Sequence, residues 1–278
     1  MSSRALYFTA HRHIEIREEP IPAPSPGTLL VETHFSALSP GTEMLIYRGD
    51  FPEQMPADET IASLTGELAY PLKYGYASVG RVAEVGSPDL AGWGDRLVFS
   101  FQPHQTRFFA TPAQAIPLPD GITPEQALFL PNMETAVNFV MDGQPSIGER
   151  VAVFGQGIVG LLTTALLSRF PLETLTTFDH YPLRREASRL AGATAALVPA
   201  SLPQSTENPP FDLTYELTGS PAALNDAISV TGFDGRVVIG SWYGRKRAPL
   251  DLGGFFHRSR IRLVSSQVST LATQFSGR

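Results

Sequence analysis

Two kinds of apolar periodicity divide the chain. Up to about residue 110 the apolar positions fall in short β-type runs, at residues 5–8, 13–17, 29–35, 76–85, 97–100 and 107–110, and one more follows at 115–118. Turn formers separate them: Pro20, Pro22, Pro24, Pro26 and Gly27, then Gly75, Gly80 and Gly86, then Gly92-Trp93-Gly94-Asp95-Arg96. Short strands between such signals predict an all-β unit closing into a small barrel. Residues 49–72 interrupt the pattern, with a predicted helix at 58–64 flanked by prolines. That excursion reads either as a substrate lid or as a surface loop.

Beyond residue 120 the period lengthens. Thr123 is an N-cap with Pro124 at the first helical position, and helical sequence continues through 134–141 as a bridge to the second half. From 151 the pattern alternates: strand 151–154, helix 161–167, strand 175–178, helix 183–191 ended by Gly192, strand 196–198. A polar, proline-rich loop at 199–210 follows, then strand 212–217, helix 220–230 opened by Pro221, and strands at 236–239 and 261–265. Six strands with crossover helices predict a doubly wound parallel sheet.

The first strand of that series runs straight into Gly155-Gln156-Gly157-Ile158-Val159-Gly160. A G-x-G-x-x-G run is weak alone, but strand before and helix after give it the dinucleotide-binding context. Gly155 serves the tight turn, Gly157 the approach of a pyrophosphate, and Gly160 the close packing of helix on sheet. The helix N-terminus supplies N–H donors and a positive dipole end. Asp179 ends the next strand where the fingerprint wants a carboxylate for a ribose diol, so NAD is favoured over NADP. His180, Arg184 and Arg185 stand close behind and could compensate for a 2′-phosphate, so NADP stays open. A glycine-rich turn in an unrelated α/β protein is the alternative.

Composition removes several functions. The 278 residues suggest two domains, and 42% hydrophobic with 17% charged residues is ordinary for a globular chain. A net charge of −6 without a basic run argues against nucleic acid and anionic membranes as partners. No apolar run reaches membrane-span length and the N-terminus lacks a signal-peptide core, so the cytoplasm is expected. There is no cysteine, which removes disulfides, thiol nucleophiles and every thiolate metal site.

The chain resembles the medium-chain dehydrogenase/reductase (alcohol dehydrogenase) superfamily over nearly its whole length. The resemblance rests on Ser39-Pro40-Gly41-Thr42-Glu43, the 75–82 run GYASVGRV, Gly94-Asp95-Arg96, the glycine loop, Asp179 with Arg185 and Leu190-Ala191-Gly192-Ala193, and Glu216-Leu217-Thr218-Gly219-Ser220. The SPGTE and YGYASVGRV wording looks most like zinc-type dehydrogenases and bacteriochlorophyllide dehydrogenase-like proteins. The resemblance implies a GroES-like β-barrel domain at 1–137 and a Rossmann domain at 138–278. It puts Thr135, Leu217, Thr218 and Gly240 on the cofactor beside the glycine loop, Asp179 and Arg184. It implies a small alcohol or carbonyl substrate, and a homodimer is compatible with it.

The departures bear on mechanism. Zinc-dependent members carry a cysteine where this chain has Pro40, and G-H-E where it has Gly75-Tyr76-Ala77. They often carry a third thiolate where it has Pro131. The four-cysteine structural lobe is also missing. Proline and alanine cannot ligate zinc and tyrosine is an unlikely substitute, so no metal site is expected. His11 and His13 read as surface residues. The family usually continues past the sixth strand, so a shortened end and a more open cleft are expected.

Without a metal, a side chain must exchange the proton with the substrate oxygen. Thr42 stands at the family's relay hydroxyl, or is a turn residue. Glu43 orients that relay, or is structural. Tyr76 replaces a ligand histidine and can donate a phenolic hydrogen bond, or packs in the core. His104, in a loop, is either an acid–base group or a plain loop histidine. Trp242 and Tyr243 form an aromatic wall or pack ordinarily. Two functions follow: a zinc-independent NAD-linked oxidoreductase, or a non-catalytic dinucleotide-binding sensor.

Overall fold

The computed structural model describes residues 1–52, 54–202, 211–268 and 270–276. They form two compact units, Met1–Pro131 and Asn132–Arg278.

The first unit is antiparallel. Its elements are β1 (Ser2–Ala10), β2 (His13–Pro20), β3 (Leu29–Ser36), α1 (Thr42–Arg48), β4 (Leu72–Lys73), β5 (Ser78–Val85), β6 (Leu97–Ser100), β7 (Arg107–Ala110), β8 (Ile116–Pro117) and the short helix α2 (Pro124–Ala127). The strands make two sheets, ordered β2-β1-β4 and β7-β3-β5-β6-β8. The sheets meet where Leu6 N–H donates to His104 O and Thr106 N–H donates to Arg4 O, both at 2.9 Å. Inward residues of the larger sheet, Leu29, Val31, Val82, Val98 and Phe108, form one core cluster. Alternation along each strand places them on one face.

One expectation fails here. Residues 58–64 are not a helix: one carboxylate oxygen of Asp58 accepts the N–H groups of Thr60 (2.7 Å) and Ile61 (2.8 Å) and the Thr60 hydroxyl (2.9 Å). That side-chain turn satisfies the donors a helix would need and bends the chain instead. Thr42, left open between relay hydroxyl and turn residue, opens α1 together with Glu43. Gly49 closes that helix at φ +68, donating to Ile46 and Leu45 carbonyls. The capping box at Thr123 and Gln126 is present as its sequence suggests.

The second unit holds α3 (Leu130–Gly143, which begins just before it), β9 (Arg150–Phe154), α4 (Ile158–Leu167), β10 (Thr174–Phe178), α5 (Pro182–Leu190), β11 (Ala195–Leu197), β12 (Phe211–Glu216), α6 (Pro221–Val230), β13 (Thr231–Ile239) and β14 (Arg262–Ser265). The six strands are parallel and ordered β11-β10-β9-β12-β13-β14, with the first-made strand in the middle. This is an α/β fold with a doubly wound Rossmann-type sheet. Alternate residues of β9 feed opposite layers: Val151 and Val153 pack with Phe139, Leu167 and Leu213, while Ala152 and Phe154 pack with Phe178, Leu224 and Val237. Of the loop expected at 199–210, residues 199–201 form a single 3-10 turn. Residues 203–210, and residues 269, 277 and 278 of the chain's end, lie outside the described residues. Among the described residues no helix is long and apolar enough to cross a membrane.

Candidate functional site

The parallel unit carries the glycine loop at the carboxyl edge of β9. Gly155 has φ +89, and a Cβ there would meet the Leu217 carbonyl oxygen at 2.7 Å, so only glycine fits the turn. A Cβ on Gly160 would sit 1.9 Å from the Gly155 carbonyl oxygen, which shows how tightly α4 is seated. Gly157 caps α4, and a Cβ there would meet nothing within 4 Å. The space above it is where an anion can approach the helix N-terminus formed by Ile158, Val159 and Gly160. The Gln156 side chain turns inward, donating to Gly155 O (3.1 Å) and accepting from the Thr164 hydroxyl (3.0 Å), and the residue is fully buried.

Asp179 is buried and ties this loop to the next. Its Oδ2 accepts the Gln156 N–H and its Oδ1 the Tyr181 N–H, each at 2.8 Å. Arg184 brings Nη1 to 3.6 Å of the carboxylate, with its guanidinium over the Tyr181 ring. Arg185 is occupied differently, donating to the Asp179 and His180 carbonyls. Of the cations grouped behind Asp179, Arg184 is therefore the one beside its carboxylate.

A second cluster lies at the ends of β12 and β13. Glu216 is fully buried; its carboxylate accepts the Thr218 N–H (2.8 Å), the Thr218 hydroxyl and the Tyr243 phenol. Burial, followed by the neighbouring Glu216, pushes the Tyr243 phenol well above its ordinary range. Gly219 N–H donates to Ser241 Oγ (2.9 Å), and Gly240 N–H to Glu216 O (3.1 Å). These bonds fix the 217–219 turn next to Gly155. Tyr243 packs on the core with its hydroxyl engaged, the ordinary packing of the two alternatives for it. Trp242 is half-buried, and Thr135 sits half-buried on α3. Glu216 was missed as an organiser, although an acid ending an apolar run and followed by Thr-Gly was visible.

In the antiparallel unit, Thr42, Glu43, Tyr76 and His104 come together. The Tyr76 hydroxyl is hydrogen-bonded with the Ser39 and Thr42 side chains. Burial raises its pKa, those two bonds oppose the rise, and the charges of Glu43 and Asp58 add to it. Glu43, in the first turn of α1, accepts the Ser39 N–H with Oε1 at 2.8 Å. Its Oε2 lies 2.9 Å from His104 Nε2, and both residues are buried. The other ring nitrogen, Nδ1, is 2.8 Å from Ser36 Oγ. Gly75 makes room for the ring: at φ +124 it has no Cβ, which would fall 2.7 Å from His104 Nε2. His104 is thus no plain loop histidine. Ser36 and Ser39 join the cluster without having been singled out in the sequence.

The donor set at the family's zinc position is poor in ligands. Pro40, Ala77 and Pro131 offer none, and Glu43 and His104 are bonded to each other. Among the described residues no group of three or more His, Cys, Asp or Glu is placed to hold a metal ion. Zinc sites built by proteins take three or four such ligands.

Family models of known proteins return no match to the chain. The chain is similar to an alcohol dehydrogenase of Cupriavidus necator, 26% identical over 82% of this chain and 73% of that protein. It is also 26% identical, over 85% of its length and 67% of the relative's, to a protein of Mycobacterium tuberculosis named as a zinc-binding alcohol dehydrogenase. Among solved structures, acetophenone reductase of Geotrichum candidum, in complex with NAD, superposes with a TM-score of 0.78 at 16% identity, covering 95% of this chain and 82% of that one. The chain is therefore medium-chain alcohol dehydrogenase-like in sequence and shares that fold.

Proposed function

We propose that this protein is an NAD-linked oxidoreductase that interconverts an alcohol and a carbonyl compound without a zinc ion. The observation that carries the reading is the Tyr76–Thr42–Ser39 hydroxyl cluster, in which Tyr76 replaces the ligand histidine of the zinc-dependent proteins the chain resembles.

The chain's 1–137 segment supplies the substrate's proton and the 138–278 segment holds the cofactor. Gly155, Gly157 and Gly160, with the first turn of α4, take the pyrophosphate. Asp179 takes the ribose diol, while Leu217, Thr218, Gly240 and Thr135 border the nicotinamide half. When bound, NAD supplies or accepts the hydride. The protein's own task is the proton. Burial keeps the Tyr76 phenol protonated, so it can donate to a carbonyl oxygen, and Thr42 shares and orients that hydrogen bond. Glu43, held by His104 and the Ser39 N–H, fixes the start of α1 and hence Thr42. Zinc independence rests on donor chemistry: proline and alanine cannot ligate, and the carboxylate–imidazole pair is already joined. The wording of residues 39–43 and 74–82 supports a place in the zinc-free, bacteriochlorophyllide dehydrogenase-like branch.

The test is Thr42→Val and Tyr76→Phe, which remove the hydroxyls at nearly constant volume. Screening alcohols and aldehydes by nicotinamide absorbance identifies a substrate. Each variant then loses about 10²-fold in turnover while the NAD dissociation constant stays put. Full activity in both variants refutes the proton assignment, and one tightly held zinc per chain by elemental analysis refutes metal independence. Tight NAD binding with no turnover on any compound favours the sensor function.

A further inference from the structure

In the antiparallel unit Ser36, a residue with no part in hydride transfer, is joined to the Glu43–His104 pair. Glu43, His104 and Ser36 form a line of three: carboxylate to Nε2 at 2.9 Å, then Nδ1 to Oγ at 2.8 Å. The two ends differ in exposure, since Glu43 and His104 are buried while Ser36, the last residue of β3, is exposed.

The carboxylate decides the tautomer. An ionised Glu43 is an acceptor only, so His104 Nε2 must carry the proton of their hydrogen bond. In the neutral ring, Nδ1 is then left with a lone pair, which faces Ser36 Oγ. Of these two atoms only the serine can donate, so its O–H points at the imidazole. A hydroxyl whose proton is held by a histidine, itself oriented by a buried carboxylate, is the arrangement that activates serine nucleophiles. Several constraints hold it in place. Glu43 Oε1 is anchored by the Ser39 N–H at 2.8 Å, the His104 backbone donates to Tyr74 O and accepts from Leu6 N–H, and Gly75 leaves the ring its space.

We propose that Ser36 is an activated nucleophile and that this unit transfers acyl groups from activated esters to water. Ser36 Oγ attacks the ester carbonyl as its proton passes to His104 Nδ1. The C–O bond to the leaving group breaks, and that proton leaves with the alcohol or phenol. Water then adds to the acyl-serine with His104 again taking a proton, releasing the carboxylic acid and restoring Ser36. No oxidant or cofactor enters the balance.

The structure also sets the substrate class. The N–H next to the nucleophile, that of Ala37, donates to Ala77 O at 2.9 Å, so it does not serve a developing oxyanion. Electrophiles with good leaving groups, such as aryl esters and phosphonofluoridates, therefore react, and peptides do not. Leu38, two residues on from Ser36, is 64% exposed and offers apolar surface for small acyl and aryl groups.

The experiment uses the full chain without cofactor. It is treated with a fluorophosphonate and the modified peptide located by mass spectrometry, and p-nitrophenyl acetate hydrolysis is followed in parallel. Modification at Ser36, with hydrolysis falling at least about tenfold in Ser36→Ala and in Glu43→Gln, is the expected result. Ser36→Ala alters an exposed side chain, and an unchanged circular-dichroism spectrum separates its loss of reactivity from a folding effect. Absence of label, label at other residues only, or unchanged hydrolysis in Ser36→Ala overturns the proposal. The readout needs no NAD, so its outcome is independent of the oxidoreductase assignment.

Discussion

Gly157 and Gly160 lie three residues apart, and the structure gives them opposite consequences. At Gly160 a methyl group would sit 1.9 Å from the Gly155 carbonyl oxygen and 2.9 Å from its carbon. Both opposing atoms are backbone, so relief requires the start of α4 to lift by at least about 1 Å, and overpacking of this kind costs about 1–3 kcal/mol. With no flexible side chain to yield, Gly160→Ala belongs at the upper end. For a unit of this size that lowers Tm by roughly 6–12 °C. The lifted helix end also misaims its N–H donors, each charge-assisted bond being worth about 1.5–3 kcal/mol, so NAD binding weakens roughly tenfold or more. Gly157 has φ −72 and open space above it, so a side chain there strains nothing in the free protein. Gly157→Val is expected to melt within about 3 °C of the parent, since an altered cap costs at most about 1 kcal/mol. It nevertheless loses NAD, because the isopropyl group fills the pyrophosphate approach. Differential scanning fluorimetry and calorimetric titration read both quantities. Parent-like melting of Gly160→Ala, or parent-like NAD affinity in Gly157→Val, refutes the account.

Asp179→Ser removes the carboxylate 3.6 Å from Arg184, so the NADP-to-NAD affinity ratio rises at least about tenfold by titration; an unchanged ratio sinks the assignment. The same variant loses acceptors for Gln156 and Tyr181 and is destabilised by about 1–3 kcal/mol in urea melts. A pH effect comes from Asp212 on β12. Burial raises its pKa, but hydrogen bonds from the Arg150 side chain and backbone outweigh that and hold it below the ordinary value. A depressed folded-state pKa gives stability that is full above the unfolded value of about 4 and is lost as pH falls through the folded one. The stability of Asp212→Asn should therefore fall less steeply than the parent's below about pH 4, in urea melts across pH 5 to 2, and parallel profiles would contradict it.

What could be read from the sequence was what is encoded locally. The parallel strands, Pro124 and Pro221 at helix starts, the tight turn at Gly155 and the close seat of α4 at Gly160 each follow from neighbouring residues. The misreading has a local cause too. Asp58 defeats the helix expected at 58–64 by offering its carboxylate to Thr60 and Ile61. The partnership of Glu43 with His104 spans 61 residues and belongs to tertiary structure, as does that of Ser36 with His104. No period or spacing links those three residues. Glu216 joins Tyr243 in the same way, through a turn whose path only the folded chain reveals.

The middle position of β9 has a consequence for synthesis. On a ribosome, β9 emerges before either neighbour, and one edge is covered when β10 follows some twenty residues later. The other edge pairs Leu213 with Val151 and Glu216 with Phe154, so it waits until β12 has been translated. For that interval a nascent chain carries Val151-Ala152-Val153-Phe154 with one edge of unpaired backbone N–H and C=O groups between two apolar faces, the kind of strand that templates association. Chains released just before Phe211 should therefore partition into the pellet or onto chaperones, whereas chains released after Ile239 should not. Sedimentation of a truncation series tests this, and a soluble chain ending before Phe211 would mean that the waiting edge is shielded by something other than β12.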